Sequence, residues 1–184
     1  MTLSKALVPS NSLVSKALLV LGGSALIAVA AQVQVPMIPV PMTLQTLAVL
    51  LVGLSLGARM GAATLIAYLA EGAAGLPVFA GGANGVALAG PTAGFLFGFV
   101  GMAWIAGLAA DRGIRGFVPT MLVALVASAA LYLPGLAWPA VTMGVPMETL
   151  LNGWALPFLA GDVVKAVLAA LVVTGGWAVV GRKA

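Results

Sequence analysis

The sequence contains no cysteine and no histidine among its 184 residues. Without cysteine it can form no disulfide bond, thiolate nucleophile or sulfur metal ligand. Without histidine it lacks the commonest general base and the commonest metal ligand. The four acidic residues are scattered along the chain as Glu71, Asp111, Glu148 and Asp162. We therefore predict neither an enzyme nor a metal site, and no cofactor.

Charged residues make up only 7% of the chain, whereas about 25% is usual in soluble domains. Hydrophobic residues account for 62%. This composition does not fit a surface in contact with water, and it predicts an integral membrane protein. The sequence also lacks a G-x-x-x-x-G-K-[ST] phosphate loop, so uphill transport would need energy from a partner or an ion gradient.

Six apolar runs are candidates for crossing a hydrocarbon core, which takes about 20 helical residues, although the second and third runs are short. We predict an all-α integral membrane protein, a bundle of six transmembrane helices that forms a single domain over residues 1–184. The helices are expected near residues 13–33, 42–56, 60–71, 92–110, 117–133 and 156–180, after a loose cytoplasmic tail at residues 1–12.

The lysines and arginines indicate the orientation of this bundle. All but one fall at the two ends of the chain or at alternate connections: Lys5, Lys16, Arg59, Arg112, Arg115, Arg182 and Lys183. The positive-inside rule then places both termini in the cytoplasm, and we expect a multi-pass protein of the cytoplasmic (inner) membrane. This distribution also explains the net charge of +4 without nucleic acid. An alternative, a signal peptide cleaved near Ala28-Val29-Ala30, accounts for the charges less well.

The outer connections of this topology are unusually apolar. Residues 34–45 contain Pro36, Pro39 and Pro41, which keep the backbone extended. Residues 72–91 are rich in glycine. Since irregular backbone at membrane depth is tolerated where it lines a cavity, we predict that both connections fold over the bundle mouth as lids rather than as ordinary external loops. Glu71, at the outer end of the third helix, is interpreted as a rim charge.

One ion pair lies within the sixth predicted helix. Asp162 and Lys165 are three residues apart and share a helix face. Ionisable side chains inside a membrane are costly and by default mark a functional site. The alternative is a structural pair that satisfies only itself, although such a pair is a poor source of stability.

The residue types around this pair indicate the class of ligand. Lys165 offers a cation to a carboxylate, Asp162 accepts from N–H donors, and Asn84 can do both. Three aromatic side chains are candidates for the apolar walls of the pocket: Tyr68, Phe79 and Phe95. The set suits a small molecule with an acid group, an amide-like or urea-like head and an apolar stem.

Four ordered segments resemble the BioY family, the substrate-capture (S) subunits of biotin transporters of the energy-coupling-factor (ECF) type. They are Pro39-Val-Pro-Met-Thr-Leu-Gln45, Gly75-Leu-Pro-Val-Phe-Ala80, Gly90-Pro-Thr-Ala-Gly-Phe95 and Gly161-Asp-Val-Val-Lys165. The resemblance implies a six-helix bundle that binds biotin under the outer loops. It assigns Asn84 and Asp162 to the ureido ring, Lys165 to the valerate carboxylate and Gln45 to the pocket wall.

The resemblance also implies partners: a transmembrane coupling subunit and two cytoplasmic ABC-type ATPases. Small residues of the first helix, Ser24 and Ala28, would face the coupling subunit. Two other functions remain open at this point. One is the capture of a different vitamin such as thiamine, whose positive charge fits Lys165 badly. The other is a membrane scaffold subunit with a structural Asp162–Lys165 pair.

Overall fold

The computed structural model describes residues 2–7, 12–37 and 40–181. Pro39 of the first outer connection and the terminal cations Arg182 and Lys183 lie outside these residues. The described helices are α1 (Leu3–Leu7), α2 (Leu13–Gln32), α3 (Gln45–Leu56), α4 (Ala58–Ala73), α5 (Ala93–Asp111), α6 (Phe117–Met143), α7 (Met147–Leu150) and α8 (Leu156–Gly181). A short antiparallel hairpin joins α2 to α3 and consists of β1 (Gln34–Val35) and β2 (Met42–Thr43).

Four helical segments of the described chain are long and apolar enough to cross a membrane. They are α2, α5, α6 and the stretch Met147–Val180, in which α7 continues into α8 through a π-helical turn at Leu151–Ala155. Helix α3 is apolar but has only 12 residues. The chain is therefore a multi-pass membrane protein.

Helix α5 forms the centre of the bundle and packs against α3, α4 and α6. Glycine allows these close approaches. A Cβ on Gly53 of α3 would lie 2.5 Å from the Ala103 carbonyl oxygen, and one on Gly107 of α5 would overlap the backbone of Ala58. Small residues at such contacts let membrane helices gain van der Waals packing along their backbones. Gly53 and Gly107 thus serve packing inside the bundle.

The cation-bearing segments meet at one end of the bundle. Asp111, the last residue of α5, accepts a hydrogen bond from the Ala58 N–H at the start of α4 (2.9 Å). The Arg115 guanidinium lies 3.8 Å from the ring centroid of Trp177, near the end of α8. Leu3 of α1 packs against Gly176. The opposite end carries the hairpin and the connection between α4 and α5.

Helix α6 is longer than predicted. The sequence predicted its end at residue 133, before Pro134, but it continues through Pro134 and Pro139 to Met143. Tertiary contacts offset the lost backbone bonds, since the Trp138 indole donates to the Gly90 carbonyl (3.0 Å) and its ring packs on Phe97. The predicted outer connection over residues 134–155 shrinks to residues 144–146, because helical structure resumes at Met147.

The predicted loose tail is also wrong for residues 2–7. Residues 3–7 are helical, and Leu3 is only 7% exposed because Gly176 leaves room for its side chain. Residues 8–11 lie outside the described chain. The ends of α2 to α5 lie close to the predicted bounds.

Candidate ligand-binding site

A cavity of about 240 Å³ lies between the hairpin, the connection from α4 to α5, and helices α3, α5, α6 and α8. Its walls are mainly apolar, and aromatic side chains supply much of them: Phe79, Phe95, Phe99, Tyr132, Trp154 and Phe158. Six polar or charged side chains also line it: Thr43, Gln45, Thr46, Thr92, Asp162 and Lys165. A mostly apolar, concave site with few polar groups is typical of small-molecule binding.

Asp162 and Lys165 form the charged part of the cavity. Both lie on α8, and their side chains are only 13% and 8% exposed. The Lys165 Nζ is 3.8 Å from the Asp162 Oδ1, which is a salt-bridge distance but too long for a good hydrogen bond. The ammonium therefore keeps donors that a ligand can use. A buried pair with loose internal geometry gains little stability from its own attraction, which favours a binding role.

Tyr132 of α6 holds the carboxylate of this pair in place. Its hydroxyl donates to the Asp162 Oδ2 at 2.5 Å. Its ring packs edge-on against Phe95, with the ring centroids 6.1 Å apart. One carboxylate oxygen is thus oriented by the protein, while the other faces Lys165 and the cavity.

Gln45 begins α3 and lines the cavity, as predicted for the pocket wall. Its Nε2 donates to the Tyr68 hydroxyl (2.8 Å), which donates in turn to the Val78 carbonyl oxygen (2.9 Å). This chain of hydrogen bonds fixes the segment that carries Phe79. Tyr68 itself does not line the cavity: it is fully buried behind Phe79, with the two ring centroids 5.2 Å apart. The prediction that Tyr68 lines the pocket is corrected in this respect, whereas Phe79 and Phe95 do line it.

Asn84 does not line the cavity, contrary to its predicted place on the ligand. Its Oδ1 lies 3.4 Å from the Val86 N–H and caps the short 3₁₀ helix Gly85–Ala89. Asparagine is a preferred residue at such a cap because its side-chain oxygen accepts from a free backbone N–H. Local turn chemistry therefore explains this residue.

Ser24 and Ala28 face into the bundle rather than toward a partner. Ser24 is fully buried and donates a hydrogen bond to a Glu71 carboxylate oxygen on α4. Ala28 is partly buried and packs on the core. The predicted docking face is therefore corrected. So is the interpretation of Glu71 as a rim charge, because this carboxylate pairs with a buried serine between α2 and α4.

Several cavity residues escaped the sequence analysis. Phe158 precedes Asp162 by four residues, so helical spacing places both on one face of α8, and Trp154 lies in the π-helical turn that leads into this helix. Trp154 was missed because the predicted helix began at residue 156, after the π-helical turn that extends it. Tyr132 was treated only as part of an apolar run. The threonines gave no signal that distinguishes them from ordinary helix and loop residues.

The hairpin seats against α8 beside the charged pair. A Cβ on Gly161 would lie 2.6 Å from the Met42 Sδ, so only glycine leaves room for this side chain. The neighbouring Thr43 and Pro41 line the cavity. The second connection contributes Phe79, Ala80, Ala83 and Ala87. Both apolar connections thus form cavity wall, which accounts for their composition.

Comparisons with known proteins agree on one family. A model described as the BioY family matches residues 3–182. A probable biotin transporter BioY of Pyrococcus horikoshii is 40% identical over 149 residues, which cover 80% of this chain and 87% of that protein. The biotin transporter BioY of Rhizobium etli is also 40% identical, over 73% and 76% of the two chains.

The fold also matches a solved structure, the crystal structure of the S-component for biotin from an ECF-type ABC transporter. The TM-score is 0.79 at 24% sequence identity, over 88% of this chain and 89% of that one. At this level of identity the match shows a shared fold. These findings confirm the resemblance carried by the four sequence segments.

Proposed function

Because this chain belongs to the BioY family, we propose that it captures biotin for uptake across the membrane and performs no catalysis. One observation carries the proposal: an oriented carboxylate and a neighbouring ammonium lie together in a mainly apolar cavity under two lids. Biotin combines a polar cyclic urea, an apolar sulfur ring and a flexible acid chain. The cavity offers matching surfaces for the urea and the sulfur ring.

The charged pair is proposed to bind the ureido head. In a cyclic urea an N–H donor and the carbonyl acceptor are adjacent, and Asp162 and Lys165 present an acceptor and a donor 3.8 Å apart. Asp162 accepts from the urea N–H, and Lys165 donates to the carbonyl oxygen. A ligand carboxylate at Lys165, as the resemblance implied, would bring its negative charge close to Asp162. Two carboxylates that share one ammonium in a poorly solvated site repel each other strongly.

The aromatic side chains are proposed to hold the sulfur ring. Phe158 lies on α8, Trp154 lies in the π-helical turn before it, and Phe79 and Phe95 face the cavity from other elements. Burying an apolar ring against such walls contributes roughly 25 cal/mol for each Å² removed from water. The volume of about 240 Å³ restricts the site to a small molecule.

The bundle is proposed to cross the cytoplasmic (inner) membrane six times, through α2, α3, α4, α5, α6 and α8, with both termini in the cytoplasm. Described cations that are exposed support this orientation: Lys5, Lys16, Arg59, Arg112 and Arg115. The contacts of Asp111 and Arg115 gather their segments at one end of the bundle. A cluster of cations at one end marks the cytoplasmic side.

A transmembrane coupling subunit and two cytoplasmic ABC-type ATPases are the proposed partners. The solved structure of the same fold is described as part of an ECF-type ABC transporter, and this chain has no phosphate loop of its own. The exposed face of α2 is available for such a partner and consists of apolar residues that include Leu18, Leu21, Leu26 and Val29.

Thermal unfolding of the purified protein with and without biotin tests the proposal. A ligand that binds only the folded state raises the melting temperature by mass action. We expect a rise with biotin and none with thiamine at the same concentration. Equal melting curves with and without biotin, in protein shown to be folded, would contradict biotin capture.

A further inference from the structure

The last residue of α2 is fastened to the second outer connection. The Gln32 Nε2 donates to the Phe79 carbonyl oxygen (3.0 Å), and the Gln32 Oε1 accepts from the Gly82 N–H (3.0 Å). The same N–H and carbonyl also bond to each other (3.1 Å) and close the 3₁₀ turn Ala80–Gly82. The Gln32 amide therefore bonds to both the Gly82 N–H and the Phe79 carbonyl oxygen, the two groups whose own hydrogen bond shapes this turn. A further bond from Nε2 to the Ala28 carbonyl (3.1 Å) holds the amide against its own helix.

This turn carries part of the cavity wall. We call residues 79–83 the lid turn, and three of them, Phe79, Ala80 and Ala83, line the cavity. Gly81 and Gly82 have positive φ angles of 68° and 73°, so the turn adopts a shape that other residues rarely take. The other side of the lid turn rests on α4, where Gly72 contacts the Phe79 ring. The position of the lid turn relative to α2 is set by Gln32.

An exposed glutamine has no need of these partners, because water can satisfy its amide. Gln32 is exposed, yet both polar atoms of its amide are directed at the lid turn. Both hydrogen bonds join the end of α2 to the lid turn, so a shift of one relative to the other breaks the two bonds together. Helix α2 is also the least enclosed of the four apolar spans.

We propose that Gln32 is a positioning residue that latches the lid turn over the occupied cavity and limits the rate at which the ligand escapes. The proposal rests on biotin capture as the function of the cavity. Gln32 does not line the cavity itself, so it acts through Phe79 and its neighbours. A movement of α2 that breaks both bonds would open this wall.

Release of labelled biotin from preloaded protein, chased with excess unlabelled biotin, tests the latch. Gln32→Met keeps the length of the side chain and removes both bonds, whereas Gln32→Glu keeps an acceptor for Gly82 but cannot donate to Phe79. We expect release to be roughly tenfold faster in Gln32→Met, since a net hydrogen bond contributes about a two- to tenfold factor, and intermediate in Gln32→Glu.

Gln34→Met is the matched control. Gln34 is exposed, and its amide also lies beside the lid turn near Gly81, but it makes no side-chain hydrogen bond within the part of the chain that the structure describes. We expect it to release biotin at the parent rate. A lower melting temperature in Gln32→Met with an unchanged release rate would show a purely structural role and overturn the proposal.

Hydrogen exchange of the ligand-free protein separates this proposal from the proposed function. Loss of the latch should speed exchange in residues 79–83 of Gln32→Met and leave α5 unchanged. Unchanged exchange in the lid turn would overturn the latch whatever ligand the protein binds. Faster exchange in a protein that retains no biotin would support the latch and contradict biotin capture.

Discussion

Replacement of Lys165 by methionine tests the chemistry of the site. The change keeps most of the side-chain length and removes the ammonium that lies 3.8 Å from the Asp162 Oδ1. A hydrogen bond to a charged group contributes about 1.5–3 kcal/mol. Because 1.4 kcal/mol corresponds to about a tenfold change in Kd, the variant should bind biotin roughly 10- to 150-fold more weakly. Isothermal titration of the purified protein measures this change.

Biotin methyl ester identifies the ligand group that Lys165 contacts. If Lys165 donates to the urea carbonyl, Lys165→Met weakens biotin and the ester by the same factor, because both keep the urea. If Lys165 binds the carboxylate, the ester binds the parent poorly and the variant changes its affinity little. The second pattern would refute the assignment of the charged pair to the ureido head.

The folding stability of each Lys165 variant must be measured beside its biotin affinity. Removing one partner of a buried ion pair costs about 3–5 kcal/mol of folding stability, because the remaining charge is left uncompensated. Lys165→Arg keeps the cation and should fold when Lys165→Met does not, with a smaller loss of affinity. Unchanged biotin affinity in folded Lys165→Met would refute any contact between this residue and the ligand.

Three further predictions concern other parts of the chain. Tyr132→Phe removes the donor to the site carboxylate and should weaken biotin binding by roughly 10- to 150-fold, measured by titration, since a bond to a charged group is lost; equal affinity would contradict the orienting role. Ser24→Ala leaves Glu71 without its donor and should lower the free energy of unfolding by about 1–3 kcal/mol in a thermal melt, while biotin affinity stays unchanged. Because the chain has no cysteine of its own, Thr149→Cys should react with an impermeant thiol reagent from outside the cell, and Gly116→Cys only after permeabilisation; the reverse pattern would contradict the proposed orientation.

The membrane class and the family could be predicted from the sequence, because both depend on features that tertiary packing does not change. Apolar composition excludes a water-exposed surface whatever the helix contacts are. Asp162 and Lys165 were found for a similar reason, since ionisable residues inside a membrane segment are exceptional wherever they occur. The structure places both at the cavity.

Predictions that depended on local signals were less reliable. Proline normally ends a helix, but α6 passes through Pro134 because Trp138 packs on Phe97 of α5 and bonds to the Gly90 carbonyl just before it. Asn84 carries the same functional groups in a ligand site and in a turn, and only the structure shows that it caps the turn at Val86.

The inward orientation of Ser24 could not be read from its sequence context. Small residues occur both at helix–helix contacts within a bundle and at docking faces. The choice between them depends on Glu71, which is 47 residues away in sequence and accepts the Ser24 hydrogen bond. Long-range pairing of this kind leaves no periodic pattern.

Titration of the purified protein with biotin, alongside Asp162→Asn, tests the central claim most directly. The account predicts saturable binding of one biotin per chain in the parent. It predicts roughly 10- to 150-fold weaker binding in the variant, because the amide replaces a charged acceptor of the urea N–H. Equal affinity of the folded variant, or the absence of binding to the folded parent, would contradict the claim that this charged pair captures biotin.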